Sequence, residues 1–208
     1  MSSLAHHFFT MAANNAWANL RLLTACARLT QAEFVAPRTG FFPSIKATLN
    51  HNLTVDWYYV DALERALQGR PVNPAARACF EPEEPFAACA PLQAAQLAVD
   101  RRLLDCCRGL DETRLALPVA ILRVVGVLYE PVTRLLGHLF QHQIHHRGQA
   151  HAMLAGTTVA PPQLDEFFCA NEAHLRAEEL AALGLTEAAI WGASHAARQR
   201  GHVDSSAP

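Results

Sequence analysis

Along most of this chain apolar residues recur at steps of three and four, the spacing that lines one face of an α-helix. From Leu4 to about Arg28 the stripe is Phe8, Met11, Ala12, Ala16, Leu20 and Leu23. Pro37, Gly40 and Pro43 break the pattern, and a second stripe runs from Ser44 to about Leu67 through Ile45, Leu49, Leu53, Trp57, Val60 and Leu63. Gly69 ends it, and Pro71, Pro74, Pro82, Pro85 and Pro91 mark a long irregular connection. A third helix is expected from Leu92 to Leu110 on Leu97, Leu103 and Leu104. Between Leu115 and Tyr129 valines take over: Val119, Val124, Val125 and Val127 around Gly126 predict a short extended excursion or hairpin. Pro131 suits a first helical turn, and a fourth helix then runs to about Ala155, closed by Gly156. Pro161-Pro162 introduces a last helical region from about Asp165, interrupted at Gly184-Leu185-Thr186. The expectation is an all-α, up-and-down four-helix bundle with an extra C-terminal helical segment. A single domain over residues 1–200 and a flexible tail over 201–208 complete it.

Composition supports one packed core. Of 208 residues 51% are hydrophobic, which excludes wholesale disorder. Only 17% are charged, against roughly 25% in an average soluble chain, so part of the surface is expected to be covered by another subunit. Lys+Arg 17 against Asp+Glu 19 leaves a net charge of −2, which argues against a nucleic-acid partner. The start, Met1-Ser2-Ser3-Leu4-Ala5-His6-His7, has neither the basic region nor the apolar run of a secretory signal. No stretch reaches the 18 or more apolar residues of a membrane span, so a cytoplasmic protein without membrane contact is expected. Cys26, Cys79, Cys89, Cys106, Cys107 and Cys169 form no CxxC pair and read as reduced thiols without metal-ligand spacing.

Eleven histidines stand against this modest charge. Four of them, His138, His142, His145 and His146, crowd the fourth helix, with His151 one turn on. At about 100° per residue His142 and His146 lie about 40° apart and one turn separate, so both imidazoles can reach one divalent metal. His138 extends the same stripe, and His145 lies about 60° to the other side of His142, where it could line the interior. Geometry alone does not choose between 142/146 and 138/142. A third ligand must come from elsewhere, and His51, flanked by Leu49 and Leu53 on the second helix, is placed to supply it. Asp56 and Glu130 are loose partners for a ligand's second ring nitrogen, and both read more readily as capping or surface groups. Arg147 could fix an anionic substrate or pair with a carboxylate, Gln149 could bond a metal-bound water, and Gly148 could admit a neighbouring helix. His6, His7, His174, His195 and His202 read as surface residues.

At these residues a resemblance emerges. Gly137-His138-Leu139-Phe140-Gln141-His142-Gln143-Ile144-His145-His146-Arg147-Gly148-Gln149-Ala150-His151 resembles the signature helix of the DinB family, the DinB/YfiT-like metalloenzymes. Asn14-Asn15-Ala16-Trp17-Ala18-Asn19 resembles that family's opening helix. Thr48-Leu49-Asn50-His51 with Asp56-Trp57 resembles its second, and Gly156 with Pro161-Pro162-Gln163-Leu164-Asp165 the segment after the signature. The likeness runs from about residue 5 to about 170. It implies a four-helix bundle, commonly a homodimer, and a divalent metal held by His51, His142 and His146, which decides against His138. Gln141 departs from the Asn of many relatives, outside the ligand set.

Zinc or nickel are the first candidates for the metal, with iron or copper next, since imidazole suits all four. Three neutral imidazoles leave such a metal an open position, where it lowers the pKa of water or holds a thiolate. Relatives that use low-molecular-weight thiols make a thiol S-transferase the first expectation for the small-molecule reaction. A metal-dependent hydrolase is the second, and a non-catalytic metal-binding stress or interaction protein the third.

Overall fold

The computed structural model describes residues 3–192; the segment read as a flexible tail, with His195 and His202, lies outside the described residues. Four long helices pack around one apolar core: α1 (Leu4–Cys26), α3 (Ile45–Leu67), α4 (Cys89–Arg108) and α6 (Val132–Leu154). Each begins close to where the apolar stripe begins. Ser3 caps α1 by accepting from the His6 amide, and Ser44 caps α3 by accepting from the Ala47 amide. A short helix unforeseen in the pattern, α2 (Gln31–Val35), follows α1 because Thr30 and Glu33 close a capping box. α4 starts at Cys89, three residues earlier than expected, since Pro91 sits in its first turn, where a missing N–H costs nothing.

The direction of each helix follows from its partners. Thr24 meets Gln93 and Asn15 meets Asp100, so α1 and α4 are antiparallel. His51 faces His142 and Tyr59 faces His138, so α3 and α6 are antiparallel as well. Asp56 meets Gln96 and Glu64 meets Arg102, which makes α3 and α4 parallel. Phe8 stacks on Phe140 and Asn15 meets Arg147, which makes α1 and α6 parallel. The four helices therefore run up, down, down, up. Residues 68–88 provide the crossover, which includes a 3₁₀ turn at Ala76–Phe80 and ends back beside the start of α3. There Asn50 donates to the Phe86 carbonyl and accepts from its amide, and Lys46 pairs with Glu84 at 2.7 Å.

Between α4 and α6 stand a one-turn helix α5 (Glu112–Leu115) and the expected hairpin, β1 (Pro118–Arg123) and β2 (Gly126–Pro131). Arg123 pairs with Gly126, so Val124-Val125 is the two-residue loop, and Gly126 takes a φ of 118° that favours glycine. Pro131 closes β2 and caps α6, one residue ahead of its expected place inside the helix. Val119 and Ile121 point inward, and the hairpin lies against α3, where the Tyr58 hydroxyl donates to the Leu122 carbonyl. After α6 the chain returns across α1 through a 3₁₀ turn at Ala170–Leu175, α7 (Ala177–Ala182) and α8 (Glu187–Trp191). Phe167 packs at a tilt against Trp17, and Arg21 pairs with Glu179 at 2.7 Å. Among the described residues no helix is long and apolar enough to cross a membrane, and all six cysteines are free thiols.

Candidate metal centre

His51 sits midway along α3, and His142 and His146 sit one turn apart on antiparallel α6, so the three rings converge from two helices. One nitrogen from each lies within 4.8 Å of the others. His51 Nε2 and His142 Nε2 approach to 3.0 Å. His138 is one turn away, its ring centroid 6.0 Å from that of His142, and stays outside the cluster. His145 is exposed rather than turned inward, and His151 is held by the Pro162 carbonyl at 2.8 Å.

Burial sets the protonation of the triad. It lowers the His51 imidazole to about 4, with a further contribution from His146. It lowers His142 to about 3, helped by the four neighbouring histidines, and His146 moves down for the same reason. At neutral pH all three offer lone pairs. His146 Nδ1–H donates to Gln149 Oε1 at 2.8 Å, which leaves Nε2 as its free donor atom. Gln149 in turn donates to His145 Nε2 at 3.1 Å, so it orients a ligand rather than reaching into the site.

The donor set fits a divalent metal. Two ligand nitrogens about 3 Å apart suit one ion with bonds of about 2.0–2.1 Å, and in the metal-free protein the same approach is a hydrogen bond when one ring carries its proton on Nε2. Among the described residues the buried His142 Nδ1 has no hydrogen-bond partner. Phe42, in the loop between α2 and α3, covers the triad, its ring 4.4 Å from His51 and 5.3 Å from His146. Phe41 beside it is 78% exposed. Sequence pattern singled out neither, because a loop residue belongs to no periodic stripe.

Beneath the triad all four helices meet in a buried polar network. Arg147 is 5% exposed and donates to Asn15 Oδ1 at 2.7 Å and Asn19 Oδ1 at 2.9 Å. Both asparagines donate to Asp100, and Gln96 donates to Asp100 and to Asp56. Arg147 is therefore a structural cation, linked to the buried Asp100 through the two asparagines, and not a surface contact for substrate. Asp56, 1% exposed, is neither a cap nor a surface group. Burial raises its carboxyl to about 7 and raises Asp100 well above the carboxylate range, with the Asp56 charge adding to the second. Burial also lowers the Arg147 guanidinium to about 10. Gly148 admits no neighbour, since a Cβ there would meet nothing within 4 Å.

The DinB family model matches residues 1–179 of the chain. The chain belongs to the DinB family. The match runs from α1 into the first turn of α7 and takes in both elements that carry the histidines. No curated protein matches the sequence. The histidines named by the DinB resemblance are thus the ones the fold brings together, with the geometry of a site that could hold a metal ion.

Proposed function

We propose that His51, His142 and His146 hold one divalent metal, zinc or nickel before iron or copper, and that this centre serves a thiol S-transfer reaction. The observation that carries the reading is the convergence of three neutral imidazole donors, those of His51 and His142 partly exposed and that of His146 buried. When bound, a divalent metal with three uncharged ligands keeps its full charge and an open position, and lowers the pKa of a thiol that binds there. The chain's own residues prepare that position. Gln149 fixes the tautomer of His146, Phe42 shields one side from water, and the buried Arg147 network holds α6 in register with α1 and α4.

Among the described residues no carboxylate belongs to the histidine cluster, which favours a reaction needing a nucleophile and a Lewis acid over one needing a general base as well. A hydrolase is the second reading, and a non-catalytic metal-binding protein the third. Elemental analysis of the purified protein, followed by conjugation assays with several low-molecular-weight thiols and an electrophile, tests the proposal. One metal per chain with thiol-dependent conjugation supports it. Ester or lactone cleavage without thiol favours the hydrolase, and metal that exchanges with no small ligand favours the third reading. A homodimer, carried over from the family and from the low charge, is checked by light scattering.

A further inference from the structure

We propose that the cavity between α1, α6 and residues 161–165 binds an apolar α-amino acid, on the face of α6 opposite the histidine triad. The cavity holds about 500 Å³, inside the roughly 300–1,000 Å³ of small-molecule sites. Ile144, Arg147, Gly148 and His151 line it from α6, at steps of three, one and three that form one stripe. At about 100° per residue that stripe lies opposite the one that carries His142 and His146. Asn14 closes the cavity from α1, and Leu164 and Asp165 close it from the segment after α6. This last wall is pinned, because His151 bonds the Pro162 carbonyl at 2.8 Å and Arg21 donates to the Gln163 carbonyl at 3.1 Å.

The cavity is lined by a buried charge that lacks a direct counter-charge. Among the described residues two arginines are buried, Arg176 at 2% exposure and Arg147 at 5%. Arg176 pairs with Glu187 at 2.6 Å. Arg147 touches only neutral amides: Nη1 donates to Asn15 and Asn19, and Asp100 is reached only through them. Its Nε and Nη2 have no protein acceptor among the described residues, and two free N–H groups in a planar fork suit a carboxylate. Asn14 Oδ1, in the same cavity, is buried without a partner and calls for a donor. The exposed Asp165 adds a negative charge that favours an ammonium as that donor and opposes a second anionic group. Ile144, 44% exposed, and Leu164 supply apolar walls. One carboxylate, one ammonium beside it and an apolar side chain together describe an apolar α-amino acid.

The test is calorimetric titration of the full chain with L-leucine and L-phenylalanine, with their amides, and with the deaminated acids isocaproate and hydrocinnamate. Saturable binding of at least one amino acid is expected, with its amide weaker by roughly tenfold or more for want of the carboxylate. The deaminated acid should also bind more weakly than the amino acid, and that gap should narrow in Asn14→Ala. Because Arg147 also holds the polar core, the cavity is blocked at Gly148, where an added Cβ meets nothing within 4 Å. Gly148→Leu should abolish binding with the melting temperature unchanged or raised, since leucine replaces glycine inside a helix. His142→Ala should bind the amino acid as the parent does, which separates this cavity from the metal centre. The inference is overturned if neither amino acid binds, or if an amide or a deaminated acid binds equally well. Binding that survives in Gly148→Leu, a gap unchanged in Asn14→Ala, or binding lost in His142→Ala overturns it as well.

Discussion

At the scale of single residues, the triad histidines are neutral because of where they sit. Desolvation is the first cause of the low values at both His51 and His142, about 4 and about 3, and mutual repulsion of their protonated forms adds to it. A group whose folded pKa lies below its unfolded value adds stability above the unfolded value and loses it as pH falls. For these rings the contribution is present above about 6.5 and declines towards about 4. The ring Cε1–H signals of His51 and His142 in metal-free protein should therefore stay unmoved by NMR between pH 7.5 and about pH 5. A midpoint near 6.5 for either ring would show an ordinary exposed histidine and remove the preformed donor set. His51 was legible in the sequence because it interrupts an apolar stripe that is otherwise regular. Phe42 was not, since its place over the triad comes from how a loop folds back onto α3.

At the scale of elements, the same distinction separates what periodicity reveals from what it conceals. The boundaries of α1, α3 and α6 were readable from stripes, caps and prolines, and the hairpin from its valines. The parallel course of α3 and α4 was not, because it is decided by residues 68–88 running back along the bundle, not by any local pattern. Nor was the polar network: Asn15, Asn19, Gln96 and Asp100 occupy helical positions that look like a solvated face until four helices close over them. The network is short of donors. Among the described residues Asp56 Oδ1, Asn52 Oδ1 and Gln143 Oε1 are buried without a partner, and burial favours a proton on Asp56 against the opposing pull of Gln96, Gln143 and the Arg147 charge. Its folded pKa of about 7 lies above the unfolded value of 3.8. The stabilising contribution is complete below about 4 and is lost as pH rises through about 7. Asp56→Asn supplies the N–H donors permanently while its Oδ1 can still accept from Gln96. Urea unfolding should find this variant about 1–2 kcal/mol more stable than the parent near pH 8, with the gap closing towards pH 5. A difference of the same size at both pH values would mean that Asp56 does not titrate with folding.

At the scale of the whole molecule, the metal centre and the network tie the bundle together by different routes. The triad joins only α3 to α6, whereas the Arg147 network joins α6 to α1 and α4 and reaches α3 through Gln96 and Asp56. Opening α3 away from α6 would therefore separate the ligands and break the polar core at once, so the site exists only in the folded bundle. A ligand that binds only the native state stabilises it by mass action, about 2.7 kcal/mol at a free concentration 100-fold above Kd. For a chain of this size each kcal/mol moves the melting temperature by about 2–4 °C, so saturating zinc should raise it by roughly 5–11 °C. His142→Ala removes a ligand common to both histidine pairings raised by the sequence and should abolish that rise. His138→Ala lies outside the cluster and should leave it intact. Scanning fluorimetry of the three proteins, with zinc and with a chelator, makes the comparison. If His142→Ala still melts several degrees higher with zinc, the ion is binding elsewhere, for which the exposed Cys169 is one available donor. If His138→Ala loses the rise with His142→Ala, the site is assembled from 138 and 142 in place of 142 and 146.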